Sequence, residues 1–345
     1  MAQNIIQKAI NKLMEGKSLS RSESKKVMSA VMRGEGSEAQ ISAFLVALRM
    51  KGETVDEITG AVEALKSKTR SFNRRFKNVV DTCGTGGDAL NTFNISTAAA
   101  IVAAGAGVAV AKHGYRSVSS RCGSADVLNA LGVNLDISLA EMEKCLHEVG
   151  IAFLFAPKLE TTMRYAMGPR SEIGARTIFN ILGPLTNPAR TKRQLIGIYD
   201  PKLVRPVVEV MQLLGSEQIM AVCGSEGMDE ISISGVTYVS ELIHGGIYDY
   251  TIRPENFEIV TAPLHKIQVK TVQESKKILL GVLRNQPSPA RDVTILNAGA
   301  AIKVSGKVDS IWDGIKAAKD ALGSGSALKK LHDMIAFSNS VAKTA

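Results

Sequence analysis

Asp81-Thr-Cys-Gly84-Thr85-Gly86-Gly87-Asp88 places three glycines and two hydroxyl side chains within one short stretch. Glycine lets a backbone approach a ligand closely and turn its N–H groups toward it. Asn94-Ile-Ser96-Thr97 follows at the expected start of a helix, where unpaired N–H groups and the helix dipole favour an anion. Together these features describe a phosphate site. The spacing fits neither the dinucleotide pattern GxGxxG nor the P-loop GxxxxGK[ST]. A tight turn without ligand would use the same glycines, so the loop alone leaves both readings open.

Lys112-His113-Gly114-Tyr115-Arg116 follows the apolar run Val108-Ala-Val-Ala111 and leads through Arg121-Cys122 to Gly123-Ser124-Ala-Asp126. Ligands bind at strand ends in parallel sheets. Lys112, Arg116 and Arg121 supply cations and the serines supply hydroxyls, so this segment reads as a second anion site, which a diphosphate needs. A basic surface loop is the plainer alternative. Asp229-Glu230, in a turn after Gly227-Met, offers oxygen ligands to a hard cation, although a solvated surface pair has the same letters. Arg170 precedes a short helical stretch with an abrupt Gly183-Pro184 stop, and an arginine there could grip a carboxylate with both arms.

The periodicity of the chain says what must hold these residues. Ser20-Arg-Ser-Glu23 and Thr54-Val-Asp-Glu57 are capping boxes ahead of helices. Ile41, Phe44, Leu45 and Leu48 form one helical stripe. Beyond Val79-Val80 the pattern alternates. Strands are expected at Val108–Ala111, Ile151–Phe155, Leu195–Tyr199 and Ile219–Val222, with a helix over about 202–214 and mainly helices in the last 75 residues. That alternation predicts an α/β fold: a small helical N-terminal domain plus a larger domain with a mostly parallel central sheet flanked by helices. The expected division is a helical domain over 1–70, completed by about 165–185, and an α/β domain over 78–164 and 186–345.

Composition narrows the classes. Of 345 residues, 45% are hydrophobic and 22% charged, which is ordinary for a globular protein. No run is apolar and long enough to span a bilayer, and the first residues lack the pattern of a signal peptide. The cysteines at 83, 122, 145 and 223 are too scattered for a zinc site or a disulfide framework, and a reducing cytoplasm fits them. The net charge is +9, and its densest cluster is Lys66, Lys68, Arg70, Arg74, Arg75 and Lys77 with Phe72 and Phe76 between. Such a run is either a solvated linker or a nucleic-acid patch, and positive charge also steers anionic small substrates.

Five motifs together carry a resemblance: GTGGD at 84–88, NISTA at 94–98, KHG at 112–114, GSAD at 123–126 and RTIFNILGPLTNPA at 176–189. With Asp229-Glu230, they resemble the anthranilate phosphoribosyltransferase family along the whole chain. That resemblance implies transfer of phosphoribosyl from phosphoribosyl pyrophosphate (PRPP) to an aromatic amine, with Mg²⁺ as cofactor, in a cytoplasmic homodimer of tryptophan biosynthesis. It implies that Gly84, Thr85, Gly87, Asp88, Asn94, Ser96, Thr97, Lys112 and Ser124 bind PRPP. Ser96, Asp229 and Glu230 would hold the metal. Gly84, His113, Tyr115, Glu160 and Arg170 would surround the acceptor. No catalytic base is implied. Three positions depart from the family: Tyr115 stands for the usual Asn, Glu160-Thr161 for a His-Pro pair, and Arg121-Cys122 for Lys-Ser. A different aromatic acceptor is therefore the close alternative. A non-catalytic nucleic-acid-binding relative would account for the charge, but not for an intact metal and pyrophosphate set.

Overall fold

The computed structural model describes residues 4–116, 122–159 and 164–341. Arg121 and Glu160 lie outside them.

The N-terminal helices are α1 (Ile5–Met14), α2 (Arg21–Met32), α3 (Glu38–Lys51) and α4 (Val55–Lys66). Each opens with a capping box. Asn4, Ser20, Ser37 and Thr54 accept from the backbone N–H three residues on, and Gln7, Glu23, Gln40 and Glu57 return the bond. Next come β1 (Val80–Gly84), α5 (Ile95–Gly105), β2 (Val110–Gly114), α6 (Ser124–Ala130), α7 (Leu139–Val149), β3 (Ile151–Phe155), α8 (Ala156–Leu159), α9 (Arg164–Ile173) and α10 (Phe179–Leu182). The rest is β4 (Arg193–Gly197), α11 (Val204–Leu213), β5 (Gln218–Gly224), β6 (Thr237–Ile243), β7 (Gly246–Ile252), α12 (Val272–Leu283), α13 (Pro289–Val304), α14 (Ile311–Gly323) and α15 (Ser326–Val341).

Among the described residues the strands form one sheet in the order β3-β2-β1-β4-β5-β6-β7. The first five pair in parallel, and β6 and β7 close the edge as an antiparallel hairpin that the sequence reading did not include. Period-two alternation splits the strand residues between two cores. Leu195, Met220 and Val222 pack with α5 and the C-terminal helices. Ile196, Ile219, Ala221 and Cys223 pack with α1–α4, Ala166 of α9, and Phe179 and Leu182 of α10. Both faces are covered, which is why these strands read as unbroken apolar runs.

Two boundaries differ from the sequence reading, and the site depends on both. The second strand was expected to end at Ala111, but its ladder continues, pairing Lys112 with Phe153 and His113 with Leu154. Gly84, expected in the loop, closes β1 opposite Gly197. Parallel pairing with β3 for Lys112 and His113, and with β4 for Gly84, outweighs the polar or flexible character of these residues.

Helix α5 carries the site at its N-terminus and is buried from Thr97 to Ala104. A helix enclosed on every side must be lined with small residues, hence ISTAAAIVAAG. The same crowding governs the layer outside it. A methyl group on Gly314 of α14 would fall on the Gly299 carbonyl of α13, and one on Gly299 would meet the Ile315 backbone. Gly314→Ala is expected to destabilise the protein by about 1–3 kcal/mol. A lowered urea midpoint at unchanged slope would show it, and an unmoved midpoint would mean that the two helices separate at no cost.

Candidate active site

The chain runs from β1 through α5 to β2 on one side, while β4 flanks β1 on the other. The connections leaving β1 and β4 therefore diverge, and a crevice opens at the carboxyl ends of these strands, the place where open α/β sheets bind ligands. Its walls are tied together. The Thr85 N–H donates to the Gly197 carbonyl at 2.9 Å, and the Tyr199 N–H donates to Thr85 Oγ1 at 3.2 Å. Asp229 fills the base. A Cβ on Gly84 would overlap the Asp229 carboxylate, and a Cβ on Gly197 its carbonyl. Only glycine leaves Asp229 room between the two strand ends. The Gly86 N–H then donates to Asp229 Oδ2 at 2.7 Å. From there Gly86, Gly87, Ala89 and Asn91 all take positive φ, a conformation that is costly for alanine.

The N-terminus of α5 forms the adjoining wall. The Ser96 N–H donates to Glu230 Oε1 at 2.9 Å. Lys112 Nζ donates to Ser96 Oγ at 3.1 Å and to the Thr82 carbonyl at 2.5 Å. Thr82 Oγ1 donates to the Ser96 carbonyl at 3.0 Å. Behind Lys112 lies Asp81, fully buried. The β1–β2 ladder pairs only Val80 with Val110. Past that point the Asp81 side chain bridges the strands, accepting the His113 N–H at 3.0 Å and Gln194 Nε2 at 3.2 Å.

Electrostatics then distinguish the carboxylates. Burial and repulsion from Asp88 push Asp229 up to about 7, against the pull of the Gly86 N–H. Burial and Asp229 push Glu230 up to about 8, against Lys112 and the Ser96 N–H. Burial raises Asp81 as well, with Lys112 opposing. Burial also lowers Lys112, with Asp81, Glu230 and Asp229 opposing the shift. The carboxyl groups outnumber the one ammonium among them, so burial favours their protonated forms. Among the described residues no cluster of three His, Cys, Asp or Glu side chains surrounds a metal position. Asp229 and Glu230 nonetheless suit Mg²⁺, which takes one or two carboxylates and fills its remaining positions with water and substrate phosphate oxygens. Ser96 Oγ lies on the same wall.

The other candidate residues fall into separate places. Thr85, Asp88, Ser96, Lys112, Asp229 and Glu230 converge on the crevice. The Asn94 amide is engaged elsewhere: Oδ1 accepts from Ser275 Oγ at 2.7 Å and from Cys122 Sγ at 3.0 Å, and Nδ2 donates to the Cys122 carbonyl at 3.1 Å. Thr97 Oγ1 is buried without a partner among the described residues and faces the interior. Ser124 Oγ donates to the Tyr115 carbonyl at 3.4 Å. The His113 and Tyr115 rings lie 5.5 Å apart, and the Tyr115 ring rests against Gly183. Burial, with Lys112 adding to it, lowers the His113 imidazole to about 4, so it is neutral at neutral pH. Arg170 on α9 holds its guanidinium 5.1 Å over the Phe179 ring.

Sequence reading missed four contributors. Gly197 and Ser275 gave no local signal, and Asp81 opened a quoted motif without a role, because their roles arise from pairing across the sheet or over long separations. Arg176 stood inside a quoted motif without a role. It donates to the Gly87 carbonyl and stacks 4.1 Å over the Tyr199 ring.

Residues 7–69 match the glycosyl transferase family's helical bundle domain, and residues 76–328 match its a/b domain. The anthranilate phosphoribosyltransferase of Petrotoga mobilis is 48% identical over 330 residues, covering 96% of each chain. The crystal structure of the anthranilate phosphoribosyltransferase from Thermus thermophilus aligns with a TM-score of 0.90 at 37% identity, covering 96% of this chain and 99% of that one. The Saccharomyces cerevisiae anthranilate phosphoribosyltransferase in complex with PRPP and Mg aligns with a TM-score of 0.89 at 26% identity, over 98% of this chain and 99% of that one. Likeness of this degree along both parts of the chain makes it a member of the anthranilate phosphoribosyltransferase family and an enzyme of the glycosyl transferase class.

Proposed function

We propose that this enzyme transfers the phosphoribosyl group of Mg²⁺-bound PRPP to anthranilate, giving N-(5-phosphoribosyl)anthranilate and pyrophosphate in tryptophan biosynthesis. The observation that carries this reading is the buried pair Asp229 and Glu230 facing the start of α5, whose raised values mark two carboxyls that Lys112 alone does not keep ionised and that a bound cation would. Such a site accepts a cation and a polyanion together. Asp229, Glu230 and Ser96 would hold the metal. Thr85, Asp88, Lys112, Ser124 and the backbone of Gly84, Gly87, Asn94 and Thr97 would hold PRPP.

During transfer the bond from ribose C1 to the pyrophosphate oxygen breaks, and the amine nitrogen bonds to C1. Negative charge grows on the leaving group, and Lys112 and the backbone N–H groups of the loop are placed to stabilise it. Mg²⁺, when bound, adds charge neutralisation to the same end. The amine proton becomes acidic as the new bond forms, so no general base is assigned. Gly84, His113, Tyr115, Glu160 and Arg170 would bound the acceptor. His113 is neutral there and adds no charge beside the anthranilate carboxylate, which leaves Arg170 as the cation to grip it.

The same reading divides the chain into a helical domain of 1–70, completed by about 165–185, and a PRPP-binding domain of 78–164 and 186–345. The apolar core that α9 and α10 share with α1–α4 supports it. A homodimer through the first helices is supported by Met14 and Met50, exposed on α1 and α3, and a cytoplasmic location by the four free cysteines.

Asp229→Asn with Glu230→Gln is expected to abolish Mg²⁺-dependent PRPP binding and to lower turnover by about 10³-fold or more. Calorimetry showing undiminished Mg²⁺-dependent affinity would sink the metal assignment. The ligand-free protein supplies a second readout. Both carboxyls are raised above their ordinary range, so they favour the folded state at low pH, and that contribution disappears as pH rises through their folded values up to about 8. Melting without Mg²⁺ should therefore lose stability over that range, and the double variant should lose less.

Tyr115 is the observation that favours a different acceptor, because its ring occupies space against Gly183. Tyr115→Asn is expected to lower KM for anthranilate severalfold and to leave KM for PRPP unchanged. Equal shifts in both constants would show that Tyr115 shapes the donor site instead.

A further inference from the structure

Asp229 and Glu230 sit between β5 and β6 on a stretch that belongs to no helix or strand. Among the described residues, Asp229, Glu230 and Ile231 make no backbone-to-backbone hydrogen bond. Other contacts must hold the two carboxyls in place. Asp229 is set by the sheet, since Gly84 and Gly197 leave it the space between two strand ends. Glu230 meets the start of α5 by its carboxyl alone, at the Ser96 N–H.

The next residue, Ile231, is where the stretch is fixed. Its N–H donates to Asn297 Oδ1 at 3.0 Å, and its carbonyl accepts from Asn297 Nδ2 at 3.0 Å. One side-chain amide thus takes both backbone groups of one residue, as a neighbouring strand would. Nδ2 also donates to the Val293 carbonyl at 2.9 Å, one turn earlier in α13, which leaves the amide a single orientation. Asn297 is fully buried and Ile231 nearly so, and buried backbone groups need such partners. Only past this clamp is the stretch tied to β6, where the Ser232 N–H donates to Thr237 Oγ1 at 2.9 Å. Helix α13 packs along α5, and Ser96 lies in the first turn of α5. Support therefore runs from Ser96 through α5 and α13 to Asn297, and through Ile231 back to Glu230.

We propose that Asn297 is a positioning residue for the metal site: through Ile231 it fixes where Glu230 stands relative to Ser96, and so sets the affinity for the divalent cation. The inference rests on the assignment of Asp229, Glu230 and Ser96 to Mg²⁺. Groups that orient a metal's ligands are commonly worth about 10–100-fold in metal affinity.

The test uses the full-length protein. Asn297→Ala removes all three bonds and leaves a gap in α13. Asn297→Thr fills nearly the same space without charge, and it decides the matter if the alanine variant does not fold. Its hydroxyl can return to the Val293 carbonyl, as Thr294 does to Ala290, but it ends one atom short of the amide that reached Ile231. Calorimetry of PRPP binding over a range of Mg²⁺ concentrations gives a Mg²⁺ midpoint for each folded variant. That midpoint should rise about tenfold or more in both, while KM for anthranilate at saturating Mg²⁺ and PRPP stays that of the wild type. A lowered melting temperature with an unmoved midpoint in Asn297→Thr would overturn the proposal, because an amide that only supports the fold behaves in that way. So would a KM for anthranilate that rises in step with the midpoint. Asp229→Asn with Glu230→Gln separates the two levels. If that pair also leaves the midpoint unmoved, the metal assignment itself fails; if the pair moves it and Asn297 does not, only this inference fails.

Discussion

Three carboxyl groups, Asp81, Asp229 and Glu230, are gathered around one buried ammonium, Lys112. Unbalanced charge in a protein interior is expensive, so each carboxylate is given donors. Asp81 takes the His113 N–H and Gln194, Asp229 takes the Gly86 N–H, and Glu230 takes the Ser96 N–H at the positive end of α5. Those last two N–H groups are the ones that a phosphate at this crevice would use. The carboxylates therefore occupy the anion's donors until a cation draws them off. An anion arriving alone would be repelled, and a cation alone would leave the N–H groups unmatched. The site is complementary to a metal and a polyanion only as a pair.

Such charge can be kept only on a rigid support. Helix α5 is enclosed by β1, β2 and the C-terminal helices, so its first turn is held by its whole length. Ser275, far along the chain, fixes the residue before it by accepting the Asn94 N–H at 3.2 Å and bonding its side-chain amide. The Asn94 amide also holds Cys122, which leads into α6. A residue type that suggested ligand contact acts here as the clip between the start of α5 and the segment leading into α6. The thiol suits that part: burial raises Cys122 to about 11, so it stays protonated and can donate.

The sequence was legible where chemistry needs local spacing. Glycines next to a helix start, a lysine after apolar residues and an adjacent Asp-Glu pair can each be seen in a few letters. Strand-helix alternation likewise gave the layered architecture, because helical and strand periods differ over short windows. What escaped reading was set by long-range pairing. Gly197 looks like any glycine in a strand until Asp229 is seen against it. Asp81 looks like the start of a loop until the splayed β1–β2 ladder leaves His113 needing an acceptor. The hairpin of β6 and β7 escaped for another reason. Thr237–Ile243 and Gly246–Ile252 sit on the sheet edge, where exposure of Tyr238 and Tyr248 blurs the apolar signal.

Arg176 shows how the two halves of the site are made to act together. Its guanidinium donates to the carbonyl of Gly87 and covers the ring of Tyr199. Gly87 belongs to the loop after β1, Tyr199 to the loop after β4, and Arg176 to the stretch joining α9 and α10. One side chain thus ties both lips of the crevice to the segment that carries Arg170 and, a few residues on, Gly183 with Tyr115 against it. The glycine-rich loop has few contacts of its own, and four of its residues from Gly86 to Asn91 take left-handed backbone angles. A loop so poor in side-chain packing keeps its shape through bonds to its neighbours, and here one such neighbour is the stretch joining α9 and α10. Displacing that stretch would release the Gly87 carbonyl and loosen the glycine-rich loop with it, so the geometry on the two sides of the crevice is set by one shared contact and not by two independent pockets.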